Sequence, residues 1–144
     1  IDHTVDHFPA TFELRQEFTP EYRRYAGIVL DMAWDHLLAR SWNSFSPETN
    51  LPAFAREQYR LLCDHRQLQP IRMQEMVHYM VKNDWLVSYT RAEHIRRSLA
   101  GMSGRMRREN KLAESYSEIP RLEPLLSRYF PLLMAELMAQ PLRT

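Results

Sequence analysis

Apolar residues recur every three or four positions along most of the chain, which is the spacing of an amphipathic helix rather than of a strand. Thr19-Pro20 has the form of a helix start, because threonine caps helices and proline suits their first position. Gly27, inside the helix that follows, indicates close approach of a neighbouring helix. The predicted helical segments are about 10–18, 20–42, 51–65, 71–82, 84–89, 90–101 (opened by a capping box at Thr90), 105–117 and 119–140 (bent or interrupted at Pro131). The pattern therefore predicts a single all-α domain, a helical bundle over residues 1–144.

The helix predicted over residues 20–42 is apolar around nearly its whole circumference, which favours a place in the middle of the bundle. It nevertheless carries Asp31 and Asp35 one turn apart, with His36 beside the second. Because a helix turns about 100° per residue, the two carboxylates point about 40° apart, inside an apolar stripe. Buried carboxylates are costly unless a cation or proton chemistry compensates them, so this segment is a candidate site. A buried ion pair between Arg24 and Asp31 is the structural alternative.

Composition narrows the class of protein. Three glycines against eight methionines favour helices over a turn-rich β fold, and Met73, Met76 and Met80 are predicted to fill the core. The single cysteine, Cys63, is predicted to be buried; it excludes a disulfide framework and fits a reducing cytosol. No apolar run approaches the length of a membrane span and no signal peptide is visible. We therefore predict a cytoplasmic protein without a membrane partner.

The chain opens on a second concentration of Asp and His, Asp2-His3-Thr4-Val5-Asp6-His7, and residues 1–64 hold ten acids against six arginines. Carboxylate and imidazole together suit a divalent metal of the magnesium, manganese or zinc type. Such a metal polarises a phosphoryl oxygen or generates hydroxide, which is the chemistry of phosphate-ester hydrolysis. Capping of a helix or turn by Asp2 and Asp6 is the alternative. No glycine-rich phosphate loop, cysteine cluster or nucleophile elbow accompanies these residues.

Residues 91–111 form a basic band, with seven cations against Glu93 and Glu109. An anionic partner and a merely solvated helix face are both consistent with such a band. It lacks the interleaved aromatic residues of a single-stranded nucleic-acid platform, so no nucleic-acid partner is predicted. The cations of the band, and hence the candidate docking residues, are Arg91, Arg96, Arg97, Arg105, Arg107, Arg108 and Lys111.

Several segments, spread along the chain in a fixed order, resemble the acyl carrier protein phosphodiesterase family, also called acyl carrier protein hydrolase. The order and the coverage of nearly the whole chain make the resemblance far more specific than any single motif. The segments are Ile1-Asp2 with Thr4-Val5-Asp6, Leu30 to Trp42, Asp84 to Tyr89, Leu99 to Ser103 and Arg128 to Pro131.

The resemblance implies a divergent, all-helical and HD-like relative of the HD phosphohydrolases that uses a divalent metal, typically manganese, with magnesium as the alternative. It implies hydrolysis of holo acyl carrier protein to the apo form and 4′-phosphopantetheine, by cleavage of the phosphodiester at a serine of the carrier. On this hypothesis Asp2, Asp35 and His36 bind the metal. Asp6 holds or deprotonates the attacking water, and Asp31 is a further ligand or orients one. Holo acyl carrier protein, a strongly acidic protein, would dock on the basic band.

One departure from the family pattern bears on activity. Family members carry a segment ahead of the position of Ile1, with another aspartate and a His-Arg pair just before the Ile-Asp. If these residues are metal ligands, residues 1–144 are an N-terminally shortened form, and we expect their activity to be weakened or absent. Full steady-state turnover by the 144 residues alone would contradict this expectation.

Two other functions compete with this hypothesis. The first is an HD-type hydrolase of a small nucleotide phosphoester, which a panel of nucleotides tested with manganese would reveal. The second is a non-catalytic helical module that binds an acidic protein. It predicts that Asp35→Ala leaves partner binding intact and that no metal-dependent turnover exists in the full-length form.

Overall fold

Helices form the regular secondary structure of the part of the chain that the structure describes. The structure, a computed structural model, describes residues 9–45 and 48–139. Its α-helices are α1 (Pro9–Glu17), α2 (Ala26–Arg40), α3 (Trp42–Phe45), α4 (Leu51–Asp64), α5 (Ile71–Lys82), α6 (Trp85–Ser88), α7 (Ala92–Arg105) and α8 (Glu118–Met138). Short 3-10 helices cover Pro20–Tyr25, Arg66–Leu68 and Glu114–Ser117. The all-α prediction is confirmed. No helix among the described residues is long and apolar enough to cross a membrane.

The chain divides into two compact units, residues 1–34 with 95–144 and residues 35–94. The first unit has a core of aliphatic and aromatic side chains that are at most 2% exposed. Burying each such side chain stabilises the fold by about 1.5–3 kcal/mol. The predicted close approach at Gly27 is confirmed, because a Cβ added there would lie 3.3 Å from Nη2 of Arg15 on α1. The core side chains are Leu14, Phe18, Val29, Leu30, Ile95, Leu99, Leu112 and Leu133.

The carboxylate of Glu118 ties the end of α1 to the start of α8. Glu118 is 1% exposed; its Oε1 accepts the Thr19 backbone N–H at 2.5 Å and its Oε2 accepts Arg121 Nε–H at 2.6 Å. Arg121 also donates to the carbonyl oxygen of Glu17. Burial alone would raise the pKa of Glu118, but the hydrogen bonds from Arg121 and Thr19 together hold it below its ordinary value. The prediction that the Thr19 side chain caps a helix is wrong, because it makes no capping hydrogen bond.

Tyr59 organises the turn between α5 and α6 in the second unit. Its hydroxyl donates to Oδ1 of Asp84 at 2.8 Å and accepts the Leu86 backbone N–H at 3.0 Å. Asp84 has a φ of 49°, a left-handed conformation that costs free energy in any residue other than glycine. Burial is the main reason that the pKa of Tyr59 is raised to about 12. The buried hydroxyl thus stabilises a strained turn.

Three core predictions in the second unit are wrong. Cys63, Met73 and Met76 are exposed, and Met80 is only half-buried. On α5 the one side chain that is buried is Val77. A helical repeat of apolar residues shows which side chains share a face, but it does not show whether that face has a packing partner.

The helix predicted over 20–42 is a 3-10 segment followed by α2, with a break at Ser41. α7 continues through Gly101, which was predicted to end it, as far as Arg105. Residues 106–113 are not helical, so the helix predicted over 105–117 is wrong. α8 runs without a break through Pro124 and Pro131. Segments whose apolar repeat is long and regular, such as α4 and α5, match their predicted bounds to within one residue.

Candidate active site

His36 on α2 is buried, with 8% of its surface exposed, and its ring is held by the backbone of a distant segment. Nδ1 lies 2.6 Å from the carbonyl oxygen of Tyr89. Because a carbonyl oxygen can only accept, Nδ1 carries the proton and donates, and the lone pair is on Nε2. A backbone carbonyl that fixes Nδ1–H in this way is the usual means of orienting a histidine whose Nε2 binds a metal.

Asp31 and Asp35 lie on an exposed face of α2. The prediction that α2 buries both carboxylates is therefore wrong. Ile28, on the same face, is 42% exposed, whereas Val29 is 1% exposed. α2 is apolar around its circumference, but its described residues are buried on one side only. An exposed carboxylate keeps much of its hydration, so its charge costs far less free energy than that of a buried carboxylate.

The alternative prediction, a buried ion pair between Arg24 and Asp31, is wrong for the same reason. Arg24 is exposed, as Asp31 is, and its guanidinium lies over the Tyr25 ring, 5.3 Å from the ring centroid. A cation–π contact at the surface contributes about 0.5–1 kcal/mol.

Tyr89 contributes its side chain to the candidate site as well as its carbonyl. The sequence did not indicate Tyr89 as a site residue. The ring is half-buried, and burial together with the negative charge of Asp35 raises the pKa of its hydroxyl. The ring of His94 meets that of Tyr89 edge-on, with 5.0 Å between centroids. Burial and the charge of Arg91 lower the pKa of His94. A neutral phenol in this place can donate a hydrogen bond to an anionic oxygen. The one sequence signal was a polar aromatic residue at the end of the apolar run that begins at Trp85.

The residues present fit a divalent metal in their chemistry. Asp35 and His36 offer an accessible carboxylate and an oriented imidazole, a ligand pair that suits manganese, magnesium or zinc. Residues 9–45 and 48–139 contain no cluster of three or more His, Cys, Asp or Glu side chains that could hold an ion. Asp2 and Asp6 lie outside the described residues, so their predicted part in a metal site stays a prediction.

All seven cations of the basic band are exposed, which agrees with a docking surface and equally with a solvated one. Arg91 belongs to the second unit, and the other six cations belong to the first. Lys111 is engaged within its own unit, since Nζ lies 2.7 Å from Oε2 of Glu21. That hydrogen bond raises the pKa of Lys111.

Asn110 shapes the loop that carries the middle of the band. Its Oδ1 accepts the hydroxyl of Ser103 at 2.6 Å and the Leu112 backbone N–H at 3.1 Å. Its Nδ2 donates to the carbonyl oxygens of Ser103 at 3.1 Å and Arg108 at 3.0 Å. The bond to Ser103 occupies a carbonyl in the last turn of α7, where helix carbonyls lack an intrahelical partner. The hydrogen bonds of Asn110 also hold the backbone of the loop that contains Arg107 and Arg108.

Two further histidines of the described residues, His65 and His78, lie at the surface. His65 is exposed and bonds the Leu61 carbonyl at 2.8 Å. His78 is exposed and meets the ring of Tyr79 edge-on. None of these contacts indicates catalysis.

Comparisons with known proteins decide the family. A family model described as acyl carrier protein phosphodiesterase matches residues 1–137. The chain belongs to the acyl carrier protein phosphodiesterase family. A relative of that name from Serratia proteamaculans is 34% identical over 140 residues, covering 94% of this chain and 72% of the relative. Another from Yersinia enterocolitica is 33% identical over 140 residues, with the same coverage. One from Escherichia coli O139:H28 is 34% identical over 143 residues, again covering 94% and 72%.

These findings confirm the predicted family and the predicted class of enzyme, a phosphoric diester hydrolase. No solved structure matches the chain significantly. The predicted likeness to the HD phosphohydrolases therefore stays a prediction.

Proposed function

We propose that this chain hydrolyses the phosphodiester of holo acyl carrier protein, releasing the apo carrier and 4′-phosphopantetheine. The observation that supports it best is the oriented imidazole of His36, beside an accessible carboxylate, in a chain of this family. We place the reaction in the cytoplasm, where the exposed thiol of Cys63 stays reduced.

A divalent metal, manganese or magnesium, is part of this proposal. Asp2, Asp35 and His36 would hold it, and bound there it would supply a Lewis acid for the phosphoryl oxygens. Asp6 would orient or deprotonate the attacking water, and Asp31 would orient a ligand. The Tyr89 carbonyl keeps the proton of His36 on Nδ1. The raised pKa of the Tyr89 hydroxyl keeps it protonated, so that it can donate to a phosphate oxygen.

Docking of the acidic carrier would use the cations of the basic band. The exposure of these cations, and the loop that Asn110 holds, support this part of the proposal. The cations would steer the carrier and set its register on the surface. Arg105, Arg107 and Arg108 are the best placed, because Lys111 is already paired with Glu21.

The proposal is tested by incubating the protein with holo acyl carrier protein and manganese and measuring the carrier's mass. We expect a metal-dependent loss of the phosphopantetheine arm, which restores the serine hydroxyl. A parallel panel of nucleotide phosphoesters should give no turnover. Turnover of nucleotides with an unchanged carrier would overturn the assignment in favour of the nucleotide hydrolase.

A further inference from the structure

A cavity of about 150 Å³ in the second unit begins one helical turn beyond His36. Arg40, which lines it, follows His36 by four residues on α2, so the two side chains share a face and start about 6 Å apart along the axis. Thr90, which also lines it, directly follows Tyr89, whose carbonyl holds the imidazole. Two chain segments therefore independently join this cavity to the candidate active site.

Arg40 is the one cation in the lining of this cavity. Among the described residues its guanidinium has no recorded hydrogen bond or ion pair. Two of the other polar groups around the cavity are already engaged. The Trp42 indole N–H donates to the Thr49 carbonyl at 2.7 Å, and the Thr90 hydroxyl donates to the Val87 carbonyl at 2.7 Å. Arg40 therefore lines the cavity and carries a guanidinium for which the described part of the chain shows no hydrogen bond or ion pair.

The walls around that cation are fixed and largely apolar. Trp42 packs against Phe54 with 4.6 Å between ring centroids. Leu51 and Val87 add aliphatic surface. At about 30 Å³ per water molecule, the cavity has the volume of about five waters. A phosphate group with the first carbon atoms of its ester matches that volume.

We propose that this cavity binds the phosphate of a primary phosphate ester, with Arg40 as the charged hydrogen-bond donor. Guanidinium groups bind phosphate oxygens through paired N–H bonds, which a lysine cannot reproduce. The identity of the ester, the phosphate end of 4′-phosphopantetheine, rests on the proposed function. The proposal that an anion binds at Arg40 does not depend on that function.

The test is a titration of the ¹⁵N-labelled protein, with a chelator present so that no divalent metal contributes. Inorganic phosphate and 4′-phosphopantetheine are the probes, and the Trp42 indole and Thr90 amide signals are the readout. We expect saturable shifts of both signals, with tighter binding of the ester than of inorganic phosphate. Pantetheine, which lacks the phosphate, should bind at least tenfold more weakly than the ester.

Three variants make the test specific. Arg40→Gln should raise the Kd for both phosphate probes at least tenfold, and Arg40→Lys should raise it less. Arg56→Gln removes another exposed arginine of the same unit and should leave the Kd unchanged. Unchanged dispersion of the other signals shows that each variant is folded. An equal Kd in wild type and Arg40→Gln, or shifts that do not saturate in the wild type, would overturn the inference.

The inference and the proposed function can fail separately. Arg40-dependent phosphate binding without hydrolysis of holo carrier would retain the anion site and overturn the proposed function. If holo carrier is hydrolysed, and Arg40→Gln has the same KM and the same phosphate Kd as the wild type, the proposed function is retained and the anion site is overturned.

Discussion

The Nδ1–H of His36 donates to the carbonyl oxygen of Tyr89, 53 residues further along the chain. The acceptor is a backbone atom, so the orientation of the imidazole depends on the path of the segment after α6 and not on the identity of a side chain. A sequence pattern cannot reveal such a partner. The same segment supplies the Tyr89 hydroxyl, so one loop both orients His36 and adds a hydrogen-bond donor that the charge of Asp35 reaches.

Reversal of charge in the basic band should weaken docking of the carrier and leave the proposed metal ligands unchanged. The triple variant Arg105→Glu, Arg107→Glu and Arg108→Glu should raise the KM for holo acyl carrier protein by at least tenfold, because like charges now face the acidic carrier. The kcat should change little. Steady-state kinetics at several salt concentrations measure both, and the salt dependence of KM should flatten in the variant.

A matched control separates docking from net charge. The triple variant Arg56→Glu, Arg72→Glu and Lys82→Glu changes the total charge equally, at exposed positions of α4 and α5. Its KM should stay within about threefold of the wild-type value, since steering depends on local potential. Equal effects of the two triple variants would remove the docking role of the band.

Loss of the Glu118 charge should destabilise the protein and alter how its free energy of unfolding falls at acidic pH. Glu118→Gln should lower the free energy of unfolding at pH 7 by about 2 kcal/mol, the scale of hydrogen bonds to a charged group. The folded-state pKa lies below the ordinary value of 4.5. The stabilisation is therefore complete above that value and is lost as the pH falls through the folded pKa. Urea unfolding from pH 7 to pH 3 should show a shallower decline in the variant. The control variant Glu123→Gln, at an exposed position of α8, should show the same decline in the free energy of unfolding as the wild type.

Tyr59 should titrate later than an ordinary tyrosine. Because its folded pKa is about 12, the stability it contributes is complete below about pH 10 and declines as the pH rises towards 12. Tyr59→Phe should remove the latest step of the ultraviolet titration and lower the free energy of unfolding by about 1–2 kcal/mol. Tyr79→Phe, at a side chain that is 57% exposed, should change stability by less than about 0.5 kcal/mol. A stability loss of the same size in both variants would contradict the role assigned to the hydroxyl.

The sequence predicted the helices whose boundaries are set locally. α1, α4 and α5 match because proline, asparagine and a regular apolar repeat mark their ends. It could not predict the end of α7, because the hydrogen bonds of Asn110 reach back seven residues to Ser103. Nor could it predict the exposed face of α2, because burial depends on neighbours that a helical repeat does not identify.

The candidate site shows the same limit. The sequence pattern indicates Asp35 and His36 as unusual polar groups in an apolar helix, yet Asp35 is exposed and only His36 is buried. The Tyr89 carbonyl and the Arg40 cavity come from tertiary contacts, and a sequence pattern carries no information about them.

The decisive measurement is the single-turnover conversion of holo to apo acyl carrier protein, with enzyme in excess so that weak activity is still counted. Mass spectrometry would follow wild type and His36→Gln, each with manganese and with chelator. We predict conversion by the wild type only with manganese, and a rate at least 100-fold lower in His36→Gln, since that variant lacks the imidazole that we propose as a metal ligand. Equal rates in the two proteins, or conversion that persists without metal, would contradict a metal-dependent phosphodiesterase centred on His36.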